Sequence, residues 1–133
     1  MRQLTTARRS RFAAALIFLA GMISGCGGAR DETVAGVTIP VPRRMERVAG
    51  RGVELSVPGF GGGQAVFQGK MALEEVTEFY RKEMPPLGWQ PGTSLLSRGG
   101  MLSYSKQGKT VLLAVSTQDG ETTLNVTVSN AAK

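Results

Sequence analysis

Cys26 is the only cysteine of the 133-residue chain, and there is no histidine. A lone thiol closes no internal disulfide and completes no zinc site built on cysteine pairs. Without imidazole there is no Ser-His or Cys-His base, and no side chain whose ordinary pKa lies near neutrality. Three other features have the types or spacing for chemistry. Ser103 and Lys106 show the Ser-x-x-Lys spacing of penicillin-interactive enzymes, but that spacing works when the serine opens a helix, and here it falls in a strand-like stretch. Glu83 falls, on a helical wheel, inside an apolar arc beside Val76 and Phe79, where a carboxylate can serve as a general base or site anchor; at the end of its helix it can equally reach water. The run Pro58-Gly59-Phe60-Gly61-Gly62-Gly63 suggests a phosphate cradle, yet a strand-like segment follows it instead of a helix, and no Gly-Lys-Ser/Thr ending is present. The sequence therefore singles out no nucleotide-binding, cofactor-binding, metal-ligating or catalytic residue.

The chemistry that the spacing does support is at Cys26. Arg2, Arg8, Arg9 and Arg11 precede an uncharged run from Phe12 to Ile23, which is too short for a bilayer span of about 20 residues. The run ends Ile23-Ser24-Gly25-Cys26, which resembles the lipobox of bacterial lipoproteins. The resemblance implies cleavage after Gly25 and a thioether-linked diacylglycerol on Cys26, with its amino group acylated as well. Two or three chains, at about 0.8 kcal/mol per buried methylene, make a firm anchor. Residues 1–25 then form a signal peptide. Gly27-Gly28 follow the cysteine in place of an aspartate, which by the same resemblance implies the periplasmic face of the outer membrane, or the cell membrane where the source has only one.

Removal of that segment takes four of the 16 basic residues, leaving 12 against 10 acids. The mature charge is close to neutral, so neither the balance nor export favours a nucleic-acid partner. Arg43, Arg44, Arg47 and Arg51 cluster with one acid between them; they read as a solvated loop, the other reading being contact with anionic lipid.

Three kinds of element must carry these residues. Residues 26–36 read as the lipidated cysteine and a flexible tether, and residues 37–133 as one small domain. Val34 to Val41 is β-leaning, but Pro40 and Pro42 confine it to an edge or an extended arm. A hairpin is expected over Val53 to Lys70, broken by the glycine run. Leu73, Val76, Tyr80 and Met84 share one stripe of a helix over about Ala72 to Met84, with Glu74, Glu75, Glu78, Arg81 and Lys82 opposite and Glu78 able to pair with Lys82. Pro85-Pro86 ends it, and no Ser, Thr or Asp caps its start. Trp89 reads as core. Gln90-Pro91-Gly92 reads as a turn, after which Met101 to Ser105, Thr110 to Thr117 and Glu121 to Val128 form a meander. In its last strand Leu124, Val126 and Val128 alternate with Thr123, Asn125 and Thr127, giving a dry and a wet face. That strand is read either as an edge able to recruit an extended partner or as a central strand.

The stretch Glu75 to Pro85 (EVTEFYRKEMP), Gly88-Trp89 and Leu102 to Lys106 resembles a group of small bacterial envelope lipoproteins of unknown function. The resemblance spans roughly residues 37 to 129, and the topology is similar to the helix-grip repeats of a lipoprotein subunit of the outer-membrane barrel-assembly machinery. The expected fold is α+β: an antiparallel sheet of about four to five strands with one amphipathic helix on one face, in the order β-β-α-β-β-β. The expected function is a lipid-anchored envelope module that is not an enzyme and binds an envelope protein or the cell wall. The alternative is a small hydrolase using carboxylates or Ser/Lys groups.

Overall fold

The computed structural model describes residues 28–57, 60–95 and 100–131. In chain order these form β1 (Ala29–Val34), β2 (Val37–Pro42), β3 (Met45–Val57), β4 (Phe60–Gly69), α1 (Leu73–Glu83), β5 (Gln90–Leu95), β6 (Gly100–Lys106), β7 (Lys109–Gln118) and β8 (Glu121–Ala131), with one 3-10 turn at Pro85–Leu87. The expected signal peptide, Cys26 and Pro58-Gly59 lie outside the described residues.

Three two-residue turns follow one rule. Ala35-Gly36, Gln107-Gly108 and Asp119-Gly120 each place both residues at positive φ, the type I′ geometry whose twist matches the flanking strands. They join β1 to β2, β6 to β7 and β7 to β8. The result is two antiparallel sheets: a β1-β2 hairpin and a six-stranded sheet in the order β3-β4-β8-β7-β6-β5.

This overturns the expected fold class. The protein is largely β, with eight strands in sheets of two and six among the described residues and one short helix, and is not an α+β fold of four to five strands. The physical reason is coverage. Six strands at about 4.8 Å spacing make a sheet about 24 Å wide, whereas a helix with its side chains is about 10 Å across. One helix leaves half the dry face bare. The β1-β2 hairpin covers the remainder: β1 packs on β4 and β8, while α1 packs on β6, β7 and β2. Residues 29–34 of the segment read as a tether are thus a strand, and Val34, Val37, Ile39 and Val41 are fully or nearly fully buried.

The core is continuous across the layers. Val115, Leu124 and Phe67 form one cross-strand row and Leu113, Val126 and Ala65 the next, and Val76, Tyr80 and Met84 of α1 close over the same face. Thr123, Asn125 and Thr127 lie on the opposite, half-exposed face, as their alternation predicts. The helix occupies Leu73–Glu83 with Ala72 at its N-cap and no side-chain cap bond, in agreement with the sequence.

Three further readings are corrected. β8 lies between β4 and β7, so the edge-strand reading of Glu121 to Val128 fails; the free edges are β3 and β5. Gln90-Pro91-Gly92 is part of β5 instead of a turn; an edge strand tolerates Pro91 because its missing N–H interrupts no inner ladder. Gly61, Gly62 and Gly63 lie inside β4, paired on both sides. At Gly63 a Cβ would stand 2.8 Å from that of Ala35, so the bare backbone is what lets the β1-β2 turn sit on the sheet.

Candidate functional site

A groove of about 600 Å³ runs between the β2-β3 turn and α1. The turn is Arg43-Arg44, two residues that carry the chain from the hairpin into the large sheet. Arg43 donates its backbone N–H to the Gly28 carbonyl at 3.0 Å and its Nε to the Ala29 carbonyl at 3.2 Å. Arg44 spans the groove's mouth: Nη1 donates to Glu75 Oε2 at 3.2 Å and Nη2 to the Lys70 carbonyl at 2.6 Å.

The helix supplies the other wall. Glu75, Glu78 and Lys82 lie on its outward side, and Phe79 on the flank of its apolar stripe. Phe79 meets Tyr80 edge to face, with centroids 5.1 Å apart at 85°, which holds the Phe79 ring at the groove while Tyr80 goes beneath the helix. Pro42 and Met71 complete the apolar part. The helix start is held by Thr122, a fully buried residue of β8 whose Oγ1 donates to the Met71 carbonyl and lies 2.7 Å from Thr117 Oγ1. A tertiary hydroxyl thus pins the chain just before the helix, while the first-turn N–H groups keep no side-chain cap. Chemically the groove combines an aromatic face, guanidinium and ammonium donors and carboxylate acceptors, which suits a zwitterionic or phosphate-bearing ligand with an apolar part.

Glu83 is half-buried on the rim of this groove, where it reaches water. Glu78 pairs with Arg81 at 2.8 Å, not with Lys82, which leaves the Lys82 ammonium at the groove. Arg47 and Arg51, read with Arg43 and Arg44 as one solvated loop, belong to β3. Arg47 is a clasp: it donates to the Thr33 carbonyl at 3.2 Å, approaches Glu32 at 3.7 Å and stands 6.0 Å over the Phe67 ring. Trp89 is buried in the core, with the Lys106 Nζ 5.8 Å from its ring. Ser103 and Lys106 lie three apart on β6 and project to opposite faces; Ser103 donates to the Thr93 carbonyl at 3.2 Å and Lys106 to that of Leu87 at 2.5 Å. The strand period separates what a helix would bring together.

The Tyr80 hydroxyl is buried with no hydrogen-bond partner among the described residues, and burial pushes its pKa well above the ordinary 10.0. Burial also raises that of Tyr104, against the lowering effect of the Arg81 charge. Among the described residues no group of three acidic side chains converges to hold a metal ion, and no helix is long and apolar enough to cross a membrane.

Sequence reasoning missed the groove. Its signal was present in the i,i+3 acids Glu75 and Glu78 beside the off-stripe Phe79, but the basic pair that faces them comes from a turn some thirty residues earlier. No family model matches the chain, and neither the curated proteins nor the solved structures contain a match.

Proposed function

We propose that this chain is a lipid-anchored bacterial envelope protein, attached through Cys26, that works by binding at the membrane surface and not by catalysis. The observation that carries the reading is positional. The chain's one cysteine closes Ile23-Ser24-Gly25-Cys26 after a hydrophobic run, and it stands two residues before Gly28, which is hydrogen-bonded to the fold. The anchor and the domain therefore meet without an intervening spacer. By the same resemblance the site of residence is the periplasmic face of the outer membrane, or the cell membrane of a source with one membrane.

The binding part of the proposal is supported by the groove beside Phe79, which offers paired and unpaired charges next to an apolar ring. Its partner is an envelope protein or the cell wall. Fractionation of cells expressing the parent and the Cys26→Ser variant tests the anchor: the parent gains the mass of a diacylglycerol and sediments with membranes, while the variant does neither. A variant that remains membrane-bound and normally processed overturns the reading. A crosslinking capture from envelopes tests the binding part. Recovery of one stoichiometric partner, lost in Phe79→Ala, supports it, and recovery unaffected by that change removes the groove from the account.

A further inference from the structure

The lipidated end of the chain and the β2-β3 turn are forced together. Gly28 is fixed by the Arg43 amide at 3.0 Å. Successive Cα atoms stand about 3.8 Å apart, so two peptide units carry Cys26 at most about 8 Å from Gly28. A headgroup layer is itself only about 5–8 Å deep on each side of the bilayer. A cysteine whose acyl chains are in the hydrocarbon therefore keeps the turn within reach of the headgroups. We propose that the domain lies with this end against the membrane, and that Arg43 and Arg44 contact the phosphates of the lipid headgroups. The inference rests on the proposed lipidation of Cys26.

The side chains at this end suit that surface. Arg43 is exposed, spends only its Nε on the Ala29 carbonyl and has no carboxylate partner among the described residues. Arg44 gives one terminal nitrogen to Glu75 and the other to the Lys70 carbonyl, with its side chain more than half exposed. Guanidinium groups match phosphate oxygens through paired N–H donors. Long-range attraction is not what brings them there: Glu46, Glu83 and Glu121 lie near the same end and nearly balance Lys70, Lys82 and Arg43. The short link brings this end to the surface, and the local arginine–phosphate contacts are what hold it there against the tilts the link still allows.

The native lysines report the orientation. Lys70 follows β4, whose end Gly69 pairs with Thr122 next to the β7-β8 turn. Lys106 and Lys109 flank the β6-β7 turn at the opposite end of β7, a 10-residue strand, or about 30 Å away. The chain from Cys26 to Lys133 retains the whole core, which lies between Val34 and Val128. Its Cys26 thiol is coupled to a maleimide-headgroup lipid in phosphatidylethanolamine and phosphatidylglycerol vesicles, and the lysines are acetylated with a water-soluble reagent and read by mass spectrometry against the uncoupled chain. Coupling slows Lys70 several-fold and leaves Lys106 and Lys109 unchanged. The double variant Arg43→Glu, Arg44→Glu loses the slowing, and Arg43→Lys, Arg44→Lys keeps it. Equal slowing at both ends, or slowing that survives charge reversal, overturns the proposal. Because the lipid is attached chemically, this outcome is independent of whether cells acylate Cys26, which the Cys26→Ser fractionation decides separately.

Discussion

The Arg43 backbone N–H donates to the Gly28 carbonyl at 3.0 Å, closing the open end of the β1-β2 hairpin. The fold thus includes Gly28, nine residues before the domain start at residue 37 that composition suggests. A chain beginning at Gly28 is expected to melt as the mature protein does. One beginning at Val37 loses β1 and its fully buried Val34, a side chain whose burial alone contributes about 2 kcal/mol, and its Tm falls by about 10 °C or more. Equal melting temperatures in calorimetry would show that β1 is dispensable.

The helix face divides sharply at adjacent positions. Val76 is fully buried, so Val76→Asp places an unpaired charge in the core and costs about 4 kcal/mol or unfolds the domain. Glu75 makes only an exposed pair with Arg44, and Glu75→Ala changes stability by no more than about 0.5 kcal/mol. Denaturant titration of the two variants checks the contrast.

Tyr80 leaves its hydroxyl without a partner among the described residues, so Tyr80→Phe removes a desolvated polar group and is expected to leave Tm at pH 7 unchanged or raised. The pH dependence has a definite sign. The folded-state pKa lies above the ordinary 10.0, so the folded chain holds the proton that the unfolded chain releases; stability is full below pH 10 and declines above it. Tyr80→Phe therefore moves the alkaline unfolding midpoint to higher pH. A midpoint equal to that of the parent would show that ionisation of this hydroxyl does not drive alkaline unfolding.

Gly63 accepts the β1-β2 turn so closely that a Cβ there would meet Ala35 at 2.8 Å. Gly63→Val is expected to lift the hairpin from the sheet, with a stability loss of about 2 kcal/mol and faster amide exchange across Ala29–Val34 than across β8. Ala35→Gly stabilises the Gly63→Val chain by more than it does the parent, which separates the clash from any effect on strand propensity or on the positive φ at residue 35.

The sequence by itself determined the local elements. The stripe Leu73, Val76, Tyr80 and Met84 defines the helix to within a residue, because a period of 3.6 admits one buried face, and Pro85-Pro86 ends it. Alternation in Leu124 to Val128 assigned the dry and wet sides of β8 through the period of 2. The lipobox reading of Cys26 likewise needs only neighbours in the chain. What only the tertiary structure decided is what lies beside what. Ala29–Val34 is polar and carries little strand signal, and becomes a strand because β2 and the uncovered half of a six-stranded sheet offer it partners. The glycines of β4 read locally as a loop, whereas in the sheet they admit the hairpin. The position of β8 in the centre, and the meeting of Arg43-Arg44 with Phe79, depend on contacts between residues far apart in the chain. Local periodicity reports which face of an element is buried; it carries no information on which element buries it.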